Sequence, residues 1–153
     1  MVSQKYYLAQ ANIVYMSAPL NDPIMASFVA QLQAINELAD KSPGFIWRLQ
    51  DETSGNNTDI RAYADERILL NLSVWESVKA LSNYVYRSQH MVVMRNGRHW
   101  FKKLDYPTLV LWWIHEENMP TVDEAKERLE YLRQHGPTSY AFSFKKQFPY
   151  PNY

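Results

Sequence analysis

Thr108-Leu109-Val110-Leu111-Trp112-Trp113-Ile114-His115 is the stretch on which the fold turns. It reads as a strand. Successive side chains of a strand point to opposite faces, so a run that is apolar at every position must be covered on both sides. Three further strands lie upstream. Tyr6 to Met16 alternates and is bounded by Pro19. Phe45 to Asp51 opens after Pro43-Gly44, and Ile68 to Trp75 follows a polar stretch.

Helices separate these strands. Asn21-Asp22-Pro23 is a helix start, with Asp22 as cap and Pro23 at a position whose missing N–H costs nothing. Met25, Phe28, Val29, Leu32, Ile35 and Leu38 then follow at helical spacing. Ser77 to about Leu104 reads as mostly helical, in two pieces. Thr121-Val122-Asp123-Glu124 is a capping box, and its helix runs to His135, where Gly136-Pro137 closes it. Tyr140 to Phe144 alternates as a short added strand, and residues 146–153 form an extended aromatic tail. The polar segment Glu52 to Arg67, with Ser54-Gly55-Asn56-Asn57, reads as a long loop, either an ordinary surface loop or a lid over a pocket.

The order β-α-β-β-α-β predicts one α+β domain over residues 1–153, a ferredoxin-like antiparallel sheet with helices on one face. Alternation then sorts the strand residues. Gln10 and Asn12 share a face, opposite Ala9, Ala11 and Ile13. Arg48 and Gln50 oppose Phe45, Trp47 and Leu49, while Asn71, Ser73 and Trp75 oppose Leu70, Leu72 and Val74. The apolar sets are expected under the helices and the polar sets on the open face. Leu109, Leu111 and Trp113 would stand exposed on that open face, so the expectation is a homodimer paired through the sheet and enclosing a pocket.

Composition narrows the partners. Of 153 residues, 46% are hydrophobic and 21% charged, as in an ordinary folded domain. Sixteen basic residues balance sixteen acidic ones, which gives no general pull toward nucleic acid or an anionic membrane. The absence of cysteine excludes disulfides, thiolate metal sites and cysteine nucleophiles. The opening MVSQKYYLAQ lacks the plan of a signal peptide and no apolar run would cross a bilayer, so a cytoplasmic location is expected. The aromatic share, 14%, points to a large core, a flat interface or an aromatic pocket.

Five segments carry a resemblance: Leu8 to Ile13, Pro43 to Asp51, Ser73-Val74-Trp75-Glu76-Ser77, Tyr86-Arg87-Ser88-Gln89-His90, and His135 to Phe142. Through them nearly the whole chain resembles an uncharacterised bacterial domain family of the dimeric α/β-barrel superfamily, near the antibiotic-biosynthesis monooxygenases. The resemblance implies pairing into a dimeric barrel around a small-molecule cavity. It also implies a cofactor-free oxygenase, isomerase or cyclase acting on a planar, mostly apolar substrate, or a non-catalytic binding or interaction protein. Within that superfamily the heme-degrading monooxygenases match at Asn12, and their aromatic over heme falls at Tyr84. Their axial histidine would correspond to His90, one helical turn short of the expected gap, so heme with His90 as ligand is the alternative to no cofactor at all.

His90 is the candidate for proton transfer, because imidazole titrates near neutral pH. Val78, Leu81, Val85 and Val92 form one stripe, and His90 lies opposite Leu81 unless the helix breaks near Arg87-Ser88. The alternative is a surface or interface histidine. Arg48 could bind a carboxylate or enolate, or could pair with Asp51 or Glu52 at its strand end. Asn12, Gln10, Gln50, Asn71 and Ser73 are candidates to orient a polar ligand, or to bridge an interface through water. Trp75, Tyr84, Tyr86 and Trp113 are candidate aromatic contacts, with core or interface packing as the plainer role. His99, His115 and His135 share no metal-ligand spacing, so no metal site is expected.

Overall fold

Strand β1 (Tyr6–Met16) lies in the middle of a five-stranded antiparallel sheet, hydrogen-bonded on both edges. This is a computed structural model, which describes residues 5–50, 62–94 and 100–150, with the backbone alone for residues 89–94. On one edge β1 pairs with β3 (Ile68–Trp75), from Leu8↔Trp75 to Tyr15↔Ile68. On the other it pairs with β5 (Leu109–His115), from Tyr6↔His115 to Asn12↔Leu109. The short β4 (Phe101–Lys102) continues that edge at Tyr15 and Met16. Strand β2 (Phe45–Arg48) pairs with the outer edge of β3. The order β2-β3-β1-β5 is that of a ferredoxin-like α+β fold, as the sequence predicts.

Helix α1 (Ala26–Lys41) follows a single 3-10 turn at Pro23–Met25, where Asp22 Oδ1 accepts from Ile24 N–H at 3.0 Å. Helix α2 spans Val78–Met94, and α3 spans Val122–His135. Thr121 Oγ1 caps α3 by accepting from Glu124 N–H at 3.1 Å, and Gly136, at φ 73°, closes it. None of the helices among the described residues is long and apolar enough to cross a membrane.

The helical reading of Ser77 to about Leu104 does not hold to its end, since Phe101–Lys102 is a strand. Burial decides this. Trp100 is almost fully enclosed, its Nε1–H donates to Ser27 Oγ on α1, and Phe101 meets Phe28 edge to face. Tyr140 to Phe144, expected as a strand, makes one bridge, Phe142 to Leu111.

The layers differ from the expected ones in an informative way. Helices α1 and α2 share one face of the sheet, but it is the polar one. The apolar face belongs to α3, whose Ala125, Leu129 and Leu132 pack on Ala9, Ala11, Leu72, Val74 and Trp112. The chain therefore covers both faces itself. Leu109, Leu111 and Trp113 are not left open, because Phe142 and Phe148 pack over them and Trp113 Nε1–H donates to Phe148 O at 2.8 Å. Tyr150 stacks on Tyr6 from the same tail. The exposed patch from which a sheet-face dimer followed is thus absent among the described residues.

A bulge in β2 alters one further assignment. Phe45 opposes Trp75 and Trp47 opposes Val74, so Ile46 is the extra residue. Phe45 consequently joins Arg48 on the face of α1 and α2, while Ile46, Trp47 and Leu49 pack on the α3 side. The turn before β2 depends on Gly44. Its φ is +83°, its carbonyl accepts from Glu76 N–H at 2.8 Å, and an added Cβ would stand 2.5 Å from Ala80 Cβ. Gly44→Ala is expected to cost about 2–4 kcal/mol, from the left-handed backbone and the overpacking together. A urea midpoint unchanged from the parent would show that this contact is not the constraint it looks to be.

Candidate functional site

The polar face of the sheet is buried under α1 and α2 without being filled. A cavity of about 450 Å³ lies between them. Its floor can be read row by row from the strand register. Leu8, Trp75 and Phe45 form one apolar row across β1, β3 and β2. Gln10, Ser73 and Arg48 form the next, and Asn12 with Asn71 the one after it. Val14 and Leu69 restore apolar character beyond. Rows on one face are two residues apart, about 7 Å, so the floor carries a polar band two rows wide between apolar borders.

The band is tied together by hydrogen bonds. Ser73 Oγ accepts from Gln10 Nε2–H and from Trp75 Nε1–H, both at 2.9 Å. Gln10 and Ser73 are buried polar residues, at 4% and 5% exposure, and burial of this kind needs such partners. Arg48 is held from α1 by Asp40: its Nε–H donates to Oδ1 at 2.8 Å and its Nη2–H to Oδ2 at 3.3 Å. The expected partners Asp51 and Glu52 lie outside the described residues. The guanidinium is mostly buried while Asp40 is about half open to solvent.

The roof is apolar with a few polar atoms. Helix α2 contributes Leu81, Tyr84, Val85 and Ser88 at i, i+3, i+4 and i+7. Tyr84 stacks on Trp75, ring centroids 5.0 Å apart, and Phe45 meets the same indole edge to face at 5.4 Å. Burial pushes the Tyr84 phenol above its ordinary pKa, against a hydrogen bond with Ser88 and the Arg48 charge, which both pull it down. It is therefore a neutral hydrogen-bonding group at physiological pH. Helix α1 contributes Phe28, Leu32, Ile35, Asn36 and Ala39.

Seven of the residues singled out in the sequence line this cavity: Gln10, Asn12, Arg48, Asn71, Ser73, Trp75 and Tyr84. Three do not. Gln50 is exposed past the end of β2, Tyr86 is 79% exposed on α2, and Trp113 packs under the tail. The His90 side chain lies outside the described residues, but α2 runs unbroken through Arg87 and Ser88. The break on which an inward His90 depended is not there. Asn36 and Ser88 were not foreseen. Asn36 had a signal, a polar residue four positions after Leu32 on an otherwise apolar stripe.

Among the described lining residues Arg48 is the one ionised group, and none is a carboxylate or a histidine. No group of histidine, aspartate and glutamate side chains among the described residues could hold a metal ion. The arrangement can bind an apolar body and offer hydrogen bonds to one edge of it. It can also stabilise negative charge arising beside Arg48 and Ser73.

One family model, described as a domain of unknown function (DUF3291), matches residues 7–153. No curated protein matches the chain. Among solved structures, the crystal structure of PA3566 from Pseudomonas aeruginosa is similar at 11% identity and a TM-score of 0.47, over 75% of this chain and 98% of that one.

The raised pKa of Tyr84 links the site to stability. A proton held more tightly in the folded state gives a contribution that is complete below the unfolded phenol value, near 10, and is lost as pH climbs through the folded one. The urea midpoint is expected to fall above about pH 10, and less steeply in Tyr84→Phe. Identical alkaline slopes for the two proteins would mean that Tyr84 titrates as it does in the unfolded chain.

Proposed function

We propose that this chain, which belongs to the DUF3291 family, binds a planar, mostly apolar small molecule beneath α1 and α2 and acts on it without a cofactor, as an oxygenase, isomerase or cyclase. The observation that carries the reading is the polar band. Gln10, Asn12, Asn71 and Ser73 lie on a sheet face roofed by its own helices, where apolar residues would fill the space better. Their retention around an open volume supports a binding role over a purely structural one.

The three reaction classes share a requirement. Each loses a proton, here to water in the cavity because no described lining residue is a carboxylate or histidine, and passes through a carbanion or enolate whose oxygen becomes more negative than in the ground state. Donors placed before the reaction stabilise that oxygen selectively. In this reading Arg48 supplies the charge, Ser73 and neutral Tyr84 supply hydrogen bonds, and Asn12 and Asn71 orient the substrate. Trp75 and Tyr84 give the flat aromatic wall. Asp40 holds the guanidinium in place, so Arg48 is preorganised rather than swinging in solvent.

An oxygen electrode with 1,4-naphthohydroquinone as probe tests the reading. Oxygen uptake is expected above the rate of autoxidation. It should fall at least tenfold in Arg48→Met, disappear in the cavity-filling Ala39→Leu, and survive within about threefold in His90→Ala. Uptake no faster than in buffer, with calorimetry still detecting bound 2-ethylnaphthalene, would favour a non-catalytic binding protein. No binding of either compound would remove the cavity from the argument.

A further inference from the structure

We infer that Ser73 makes the cavity selective for an uncharged carbonyl compound, an aromatic ketone, aldehyde or quinone, over its hydrocarbon or carboxylate counterpart. This rests on the binding role proposed for the cavity and names the chemistry of the ligand. A serine hydroxyl has two lone pairs and one proton. Both lone pairs of Ser73 Oγ are engaged, by the Gln10 amide and the Trp75 indole, each at 2.9 Å. Indole N–H can only donate, so that acceptance is fixed by chemistry. What remains at Ser73 is a donor, at a residue 5% exposed that lines the cavity.

With Gln10 donating through Nε2–H and Trp75 through Nε1–H, the Ser73 O–H has no acceptor in the Gln10–Ser73–Trp75 cluster and is left to donate toward the cavity. The complementary group on a ligand is an acceptor oxygen. Its place is the middle row of the floor, where Ser73 stands between Gln10 and Arg48 across three strands.

The charge balance argues for a neutral acceptor. Arg48 is the one ionised lining residue among those described, and the Asp40 carboxylate already pairs with it through two hydrogen bonds. A carboxylate ligand would lose its hydration on entry and find a cation that is already neutralised. A carbonyl oxygen loses far less and gains the hydrogen bond. The apolar rows on both sides of the band accept the remainder of the molecule. Asn12 and Asn71 can each donate or accept, so they add no preference of sign.

Three probes of nearly equal shape separate these terms: 2-acetylnaphthalene, 2-ethylnaphthalene and 2-naphthoate, titrated into the full chain by calorimetry. The ketone is expected to bind about tenfold more tightly than the hydrocarbon, the worth of one good hydrogen bond, with the carboxylate weakest. Ser73→Ala should bring the ketone down to the level of the hydrocarbon while 2-ethylnaphthalene binding stays as in the parent, which also reports an intact cavity. Ser73→Thr keeps the hydroxyl and should keep the preference, which covers the case in which Ser73→Ala fails to fold. Equal binding of ketone and hydrocarbon by the parent, or tighter binding of the carboxylate, overturns the selectivity while leaving the cavity in place. Binding of none of the three overturns the cavity reading and this inference with it.

Discussion

Strand β1 is the constraint on which the rest depends. Hydrogen-bonded along both edges, it cannot slip by one residue without exchanging its two faces at once. Its register places Ala9, Ala11 and Ile13 against α3 and Leu8, Gln10, Asn12 and Val14 toward α1 and α2. Small residues at Ala9 and Ala11 leave room for Leu129 and Leu132 to approach the sheet. The same register aligns Gln10 with Ser73 and Asn12 with Asn71, so one strand fixes both the packing of the core and the rows of the cavity floor.

The polar band would be costly if it were isolated. A buried amide or hydroxyl without a partner loses on the order of 1–3 kcal/mol. The cluster around Ser73 avoids most of that cost by internal hydrogen bonds, and Arg48 does so through Asp40. The bulge at Ile46 serves the same arrangement from the other side. It brings Phe45 round to support Trp75, whose indole N–H then reaches Ser73. Aromatic packing and polar satisfaction are therefore coupled at one residue, and Trp75 belongs to both.

Much of this was legible in the sequence, for identifiable reasons. The strand and helix order followed from alternation, from Asp22-Pro23 and from the capping threonine at Thr121. The polar set on one face followed from period two alone. What alternation cannot say is which layer covers which face. A third helix and an aromatic tail were visible as elements, but their destination depends on the path of the chain after β5. Local pattern also hides a bulge, since Phe45-Ile46-Trp47-Arg48 reads as regular strand until its partner is known. Arg48 was singled out as a face residue, but its partner Asp40 was missed, because Asp40 is remote in pattern and close only after α1 folds back.

The electrostatic character of the site bears on which role suits it. At rest it is close to neutral, with Arg48 offset by Asp40 and Tyr84 kept protonated by burial. An anion arriving from water would give up its hydration for a cation that Asp40 already partly offsets. An uncharged molecule that becomes an enolate meets a different balance. Its developing charge appears within a low-dielectric enclosure, beside a guanidinium whose partner carboxylate is half solvated and so the more easily screened of the two. The donors then interact more strongly with the altered molecule than with the one that entered. That difference, rather than tight holding of the ground state, is what accelerates a reaction. It is the physical ground on which the proposed catalytic role rests.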